Sequence, residues 1–174
     1  GATTGKLLPT GNVRDVLDVP GVGRLEVSMV DAANACVFVR AADVGLTGIE
    51  MPEPLEQNLE VMKKLGAIRL AASVAMGIGR TPEDAAKKTT VPFVGFISGP
   101  QDAVSLSGEK IEAGKVDLTG RMLSNGQPHR ALPLTASLCM AVAARLRGSV
   151  VFDAARVTDD PDKEIRIAMP SGVL

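Results

Sequence analysis

The stretch LPLTASLCMAVAARL, residues Leu132–Leu146, decides the fold because it reads as a helix that is apolar on every side. A surface helix normally carries its apolar residues in one stripe, whereas a helix that is apolar all round is buried. Arg145 is the only charge in the stretch and lies in the last turn, where a cation complements the helix dipole. The sequence therefore predicts a central helix that the rest of the chain covers on all sides.

The start of this helix has a different chemistry. Pro133 suits a first helical turn, and Thr135 and Ser137 are small hydroxyl-bearing residues. The first N–H groups of a helix have no internal acceptor, and together with the dipole they favour a bound anion. We therefore predict that a carboxylate or phosphate binds at this helix start.

Strand patterns surround the predicted helix in the sequence. Alternating or continuous apolar runs predict strands over Val13–Val19, Arg24–Ala32, Ala35–Ala41, Val91–Ile97, Val116–Leu123, Ser149–Ala154 and Glu164–Met169. A long helix is predicted from about Glu56 to Met76, and Thr81 followed by Pro82 marks a further helix start. The class is α+β, with an antiparallel β-sheet or barrel wrapped around a central apolar helix.

Composition restricts the function. The 174 residues fit one domain. The net charge is −1 and no cluster of basic residues is present, so nucleic-acid binding is not expected. No apolar run is long enough to cross a bilayer, so no membrane partner is expected. Cys36 and Cys139 lie far apart in apolar segments, which is typical of a reduced, cytoplasmic protein. Only one histidine is present and no zinc motif, so no metal site is expected.

Five segments together resemble one known family. They are LLPTGNVRDVLDVPGVG (7–23), SMVDAANACVFVRAADVGLTG (28–48), AIRLAASVAMGI (67–78), LSNGQPHRALPLTASLCMAVAA (123–144) and MPSGVL (169–174). In this order they resemble the PrpF family, the 2-methylaconitate cis–trans isomerases of the diaminopimelate epimerase superfamily. Relatives within that family include 4-oxalomesaconate tautomerase and 3-methylitaconate isomerase.

The resemblance implies a larger protein with two pseudo-symmetric lobes, each a sheet around a central helix, and an active site between them. Residues 1–174 resemble the second, C-terminal lobe, and the first lobe is absent from this chain. The family's first-lobe GNCGN-type cysteine motif and its lysine have no counterpart here. The second cysteine of diaminopimelate epimerase would align near Leu134, so the two-cysteine mechanism does not carry over. We therefore expect the chain alone to be inactive and to pair with a first lobe or with itself.

Candidate binding residues follow from the helix start and from the resemblance. Backbone N–H groups of Thr135, Ala136 and Ser137 are candidates for holding a carboxylate, although ordinary helix capping also explains these residue types. Asn34 aligns with an asparagine that contacts substrate in the superfamily, and a turn residue is the alternative. The other candidates are Thr10, Gly11, Asn12, Ser124 and His129, each of which a structural role also explains.

Two functions from different classes remain open. The first is isomerisation of an unsaturated di- or tricarboxylic acid, in which a proton is removed next to a carboxylate and returned elsewhere. No metal or organic cofactor is expected for it, and no residue of this chain is assigned as catalytic. The alternative is a non-catalytic carboxylate-binding or accessory domain that works with an aconitase-like partner.

Overall fold

A computed structural model describes all residues from 1 to 174. The strands are β1 (Asp15–Val19), β2 (Gly23–Ala32), β3 (Asn34–Arg40), β4 (Phe93–Ser98), β5 (Ala103–Val104), β6 (Lys110–Ile111), β7 (Leu118–Ser124), β8 (Gln127–Pro128), β9 (Ile167–Met169) and β10 (Gly172–Val173). The α-helices are α1 (Pro52–Gln57), α2 (Leu59–Ala75), α3 (Pro82–Lys87), α4 (Leu134–Arg145) and α5 (Val150–Ala154).

Eight strands form one sheet, which runs in the order β1-β2-β3-β4-β7-β9-β10, with β8 paired to β7. The pairs β3–β4 and β7–β9 are parallel and the other pairs are antiparallel. The predicted mixture of helices with a mostly antiparallel sheet is confirmed. The sheet is open, with β1 and β10 at its ends, so the strands do not close into a barrel around the helix.

The two faces of the sheet carry separate cores, because successive side chains of a strand point to opposite faces. On one face, called the α2 face, residues such as Val37, Phe96 and Leu123 pack against Leu65 and Ile68 of α2. On the other, the α4 face, the core residues are Val30, Cys36, Phe38, Ile97, Leu118, Met122, Leu132, Ala136, Cys139, Met140, Ala143, Ala144, Val150, Val151 and Ile167. Helix α4, formed by the apolar segment that follows Pro133, therefore covers one side of the sheet.

The prediction that this helix is buried on every side is wrong. Its buried residues are Ala136, Ser137, Cys139, Met140, Ala143 and Ala144. Leu134, Leu138 and Val142, spaced four residues apart, are 72%, 49% and 37% exposed. Apart from Met140, small residues occupy the side against the sheet, where they let the helix approach closely, and the larger aliphatic residues point outward. The helix is apolar on all sides because it has two apolar faces, of which the sheet covers only one.

Two further element predictions differ from the structure. Ser149–Ala154, predicted as a strand, is instead helix α5, because Ser149 Oγ caps it by accepting a hydrogen bond of 2.9 Å from the N–H of Phe152. Within Glu164–Met169, also predicted as a strand, only Ile167–Met169 pairs in the sheet.

The predicted helix from Glu56 to Met76 divides at Asn58, whose Oδ1 accepts from the N–H of Val61 and begins α2. The predicted start at Thr81 is confirmed, since its Oγ1 accepts from the N–H of Asp84. None of the helices combines the length and the apolar character needed to cross a membrane.

Candidate functional site

The first turn of α4 keeps its N–H groups free. Pro133 occupies the N-cap position, and no side chain caps the helix. The N–H of Ser137 bonds to the carbonyl of Pro133, so Leu134, Thr135 and Ala136 are the residues whose N–H groups precede the helical ladder. No acidic residue lies in this turn. The helix start therefore has the donors and the partial positive charge that a carboxylate requires.

Asn34 reaches this helix start from the sheet. Its Nδ2 donates a hydrogen bond of 3.1 Å to Oγ1 of Thr135. The left-handed turn residue between β2 and β3 is Ala33, with φ of 62°, so Asn34 is the first residue of β3 and not the turn residue. Its amide is consequently free for the contact with Thr135.

Ala136 and Ser137 differ from Thr135 in accessibility. Thr135 is exposed, whereas Ala136 and Ser137 are buried against the sheet. Ser137 Oγ donates a hydrogen bond of 2.7 Å to the carbonyl of Leu134, which directs the hydroxyl back along the helix. Within this turn, Thr135 is the exposed residue that carries a hydroxyl group.

A second polar pair is formed by Ser124 and His129. Ser124 Oγ lies 2.6 Å from His129 Nε2, and the two share a hydrogen bond. The hairpin that brings them together turns at Asn125 and Gly126, both with positive φ, which is the Asn-Gly turn that matches the twist of paired strands. The Asn-Gly pair is the sequence signal from which this hairpin could have been predicted.

His129 is further held by Phe93, which sequence reasoning missed. The two rings stack with centroids 6.0 Å apart and an interplanar angle of 11°. The backbone N–H of His129 donates a hydrogen bond to the carbonyl of Met122, which holds the main chain of His129 at the end of the sheet. Partial burial lowers the pKa of His129 below its ordinary value, so the imidazole is neutral near pH 7.

The two pairs share one end and one face of the sheet. Asn34 begins β3, and Phe93 begins the parallel neighbour β4. Ser124 ends the antiparallel strand β7, so all three lie at the same edge. Their strand positions alternate with residues of the α2-face core, which places them on the side where α4 packs. This edge, with Asn34, Thr135, Phe93, Ser124 and His129, is called the polar edge below.

The turn at Thr10, Gly11 and Asn12 makes different contacts. Thr10 Oγ1 and Asn12 Nδ2 donate to the carboxylate of Asp15, at 2.6 and 2.9 Å. Gly11 has a φ of 83°, and its N–H bonds to the carbonyl of Leu8. None of these hydrogen bonds joins the turn to Asn34 or Thr135.

The two cysteines, distant in sequence, meet inside the α4-face core. Both are free and fully buried. Burial raises the pKa of the Cys36 thiol well above its ordinary value. Cys139 Sγ donates to the carbonyl of Val30, at 3.4 Å. A thiol that is fully buried among apolar side chains is a packing group.

Known proteins share this fold and sequence. The family model described as PrpF protein matches residues 1–174, so the chain belongs to the PrpF family. The chain is 40% identical over 176 residues to 3-methylitaconate isomerase of Eubacterium barkeri. It is 35% identical over 171 residues to 2-methyl-aconitate isomerase of Shewanella oneidensis. A crystal structure of methylitaconate-delta-isomerase, 40% identical, matches with a TM-score of 0.94.

These relatives are considerably longer than this chain. The Eubacterium barkeri match covers 100% of this chain and 46% of the relative, and the Shewanella oneidensis match covers 98% and 42%. In the crystal structure the match covers 100% of this chain and 45% of that chain. The chain therefore spans less than half the length of the curated relatives it matches. At the level of the family, the relatives are isomerases named for unsaturated carboxylic acids.

Proposed function

We propose that this chain is the second, carboxylate-holding lobe of an isomerase that acts on an unsaturated di- or tricarboxylic acid. In this proposal a proton is removed next to a carboxylate and returned elsewhere. The start of α4 holds one carboxylate and stabilises the negative charge that develops as the proton leaves. 2-Methylaconitate and 3-methylitaconate, which appear in the names of two relatives, are the first substrates to test.

The contact between Asn34 and Thr135 is the observation that carries the proposal. The Oγ1 of Thr135 accepts from the Asn34 amide, so its own proton is available to a further acceptor. That hydroxyl lies beside the free N–H groups of the first turn, with no acidic side chain to occupy them. A carboxylate, which only accepts hydrogen bonds, is the complementary ligand.

The proton-transferring groups belong, in this proposal, to a first lobe. At the polar edge the only titratable side chain is His129, and it is neutral and hydrogen-bonded to Ser124. Both thiols are fully buried in the α4-face core. The division of labour agrees with the fraction of each relative that this chain covers.

A titration of the chain with tricarballylate tests carboxylate binding. We expect the amide resonances of Thr135 and Ala136 to shift, and Thr135→Val to weaken binding about tenfold by removing one charge-assisted hydrogen bond. Thr158→Val is the matched control, since Thr158 is exposed and lies near Arg145 at the opposite end of α4. Shifts that appear elsewhere, with the first turn of α4 unaffected, would contradict the proposal.

A turnover assay separates the lobe from the accessory-domain alternative. We expect the chain alone to bind tricarballylate but not to convert 2-methylaconitate or 3-methylitaconate. If turnover appears once the sequence is joined to a first lobe bearing the family's cysteine motif, the chain is the lobe of an isomerase. If that joined protein binds the acids and never converts them, the non-catalytic carboxylate-binding function is the correct one.

A further inference from the structure

Asp31, near the end of β2, carries a fully buried carboxylate that takes no part in the contacts of the proposed site. Its Oδ2 accepts three hydrogen bonds, from the N–H of Thr3 at 3.0 Å, the N–H of Thr4 at 2.6 Å and the hydroxyl of Thr4 at 2.7 Å. Burial alone would raise the pKa of this carboxyl, but the hydrogen bonds from Thr4 and Thr3 outweigh burial and hold the pKa below its ordinary value. An ionised Asp31 therefore binds residues 1–8, called the leading segment below, to β2.

The main chain at this end of β2 is bound from two directions. The N–H of Asp31 donates a hydrogen bond of 2.9 Å to the carbonyl of Leu7 in the leading segment. From α4, Sγ of Cys139 donates to the carbonyl of Val30, at 3.4 Å. The end of β2 is thus held by the leading segment as well as by the helix that carries Thr135.

The turn that follows Asp31 is strained at one residue. Ala33 has a φ of 62°, a left-handed conformation in which the Cβ of an alanine lies too close to the following carbonyl oxygen. Asp31 pairs with Ala35, and Ala32 with Asn34, so Asp31 lies one residue pair from Asn34. The ends of secondary-structure elements open more readily than their centres. The hydrogen bonds to Asp31 therefore stabilise this end of the hairpin, and with it the position of the Asn34 amide.

We propose that Asp31 is a positioning residue of the carboxylate site, which holds the turn between β2 and β3 so that the Asn34 amide meets Oγ1 of Thr135. This inference rests on the proposed function, since that function gives the contact between Asn34 and Thr135 its role. The hydrogen-bond partners of the Asp31 side chain all belong to the leading segment, so Asp31 acts through Asn34 and not on the substrate. One buried side chain consequently couples the leading segment to the carboxylate site.

A double-variant comparison tests whether Asp31 acts through Asn34. We expect Asp31→Ala to weaken binding of tricarballylate about five- to tenfold, the same loss as Asn34→Ala, which is the value of one hydrogen bond. In the Asn34→Ala background the same change should have no further effect, because residues that act through one contact are not additive. A change that acts independently of Asn34 would instead multiply the loss. Titration calorimetry measures all four affinities.

Asp31→Asn provides the conservative rescue. Oδ1 of Asp31 has no hydrogen-bond partner, so an asparagine can place its oxygen at the Oδ2 position and its nitrogen at the Oδ1 position. The three hydrogen bonds are then kept with a neutral acceptor. Affinity for tricarballylate should return to within about threefold of that of the unaltered protein, since bonds to a neutral acceptor are weaker than those to a carboxylate.

Thr4→Val keeps the test decisive if Asp31→Ala does not fold. It removes one of the three hydrogen bonds and leaves both N–H donors, so we expect affinity to fall about threefold, and not at all in the Asn34→Ala background. Thr47→Val is the matched control, since the N–H and Oγ1 of Thr47 likewise donate to a single carboxylate oxygen, that of Glu50. Thermal unfolding of each variant confirms that the comparison is made on folded protein.

Asp117→Ala is the control for a general loss of stability. Asp117 is also a buried carboxylate that accepts backbone and side-chain hydrogen bonds, in its case from Arg166. Its replacement should lower the melting temperature and leave the affinity for tricarballylate unchanged.

The possible outcomes separate the two proposals. A loss of affinity in Asp31→Ala or Thr4→Val that disappears in the Asn34→Ala background supports the positioning role. No loss, a loss that adds to that of Asn34→Ala, or an equal loss in Asp117→Ala overturns it and leaves carboxylate binding at Thr135 intact. Failure of the unaltered protein to bind tricarballylate overturns the proposed function, and the positioning role with it.

Discussion

Nδ2 of Asn34 lies 3.1 Å from Oγ1 of Thr135 and donates a hydrogen bond to it, although 101 residues separate the two in the chain. The contact joins the first residue of β3 to the first turn of α4. Since Oγ1 of Thr135 accepts this bond, the hydroxyl proton is directed elsewhere, toward an external acceptor. Asn34 thus sets the role of Thr135 as a hydrogen-bond donor at the helix start.

Replacing Asn34 should weaken carboxylate binding more than it weakens the fold. In Asn34→Ala the Thr135 hydroxyl is free to rotate, and we expect tricarballylate to bind about five- to tenfold more weakly, the value of one hydrogen bond. The bond is exposed, so the melting temperature should change little. Titration calorimetry and thermal unfolding measure the two quantities on the same protein.

Asn58→Ala is the matched control for Asn34→Ala. Asn58 is also an exposed asparagine with a side-chain hydrogen bond, but its partner is the N–H of Val61 at the start of α2. Equal losses of affinity in the two variants would show that the effect does not arise at the helix start.

The orientation of α4 leads to a second prediction, from two neighbouring alanines. Ala143 is fully buried against the sheet, whereas Ala141 is half-buried. Ala143→Asp should cost several kcal/mol, because it buries a carboxylate without a partner. Ala141→Asp should cost less than about 1 kcal/mol, mainly through helix propensity. Denaturant unfolding measures both, and equal losses would contradict the orientation of the helix.

The periodicity of apolar residues predicted which helices and strands form better than it predicted which of their faces are buried. The existence of α4 followed from its apolar run, but its one-sided burial could not, because Leu134, Leu138 and Val142 are as apolar as the buried residues. Ser149–Ala154 illustrates a related limit, since a short apolar run suits either a strand or a buried helix. There the serine cap, a local hydrogen bond, decided in favour of the helix.

The candidate site was predictable where one segment contained the chemistry. The residues of the first turn of α4 by themselves predicted an anion site, and the resemblance to the PrpF family indicated Asn34. The stacking of Phe93 on His129 was not predictable, because it depends on which strands are neighbours in the sheet. Strand order arises from long-range pairing, which no local pattern of side chains specifies.

Asp117 should make stability depend on pH in the acid range. Burial alone would raise the pKa of its carboxyl, but hydrogen bonds from the side chain and backbone of Arg166 outweigh burial and hold the pKa below its ordinary value. The stabilisation is therefore present above the unfolded pKa of about 3.9 and is lost as pH falls through the lower folded pKa.

The variant Asp117→Asn tests this linkage. At pH 7 it should destabilise the protein by about 1.5–3 kcal/mol, the value of hydrogen bonds to a charged group. The difference between the two proteins should shrink once the pH is below that of carboxylate titration. A difference that stays constant between pH 7 and pH 2.5 in urea unfolding would exclude the assigned role of Asp117.

The cysteine pair leads to a prediction about reactivity. Cys36 and Cys139 are fully buried and reduced, and burial raises the pKa of Cys36. A thiol reagent should therefore modify the folded protein very slowly and react with two thiols in denaturant. Rapid labelling of either cysteine in the folded state, measured by mass spectrometry, would contradict this placement.

The open apolar row on α4 predicts where the chain associates with a partner. Leu134, Leu138 and Val142 form a row of exposed aliphatic side chains, and such a row is covered in most stable assemblies. We expect the chain to self-associate through it, and Leu134→Lys to raise the monomer fraction in sedimentation.

Leu59→Lys is the matched control. Leu59 is the first residue of α2 and is 78% exposed, and Leu134 is the first residue of α4 and is 72% exposed. The two changes add the same charge at equivalent helix positions, so an effect of net charge alone would appear equally in both variants. A purely monomeric protein at high concentration, or an equal response of both variants, would show that the row on α4 is not the contact surface.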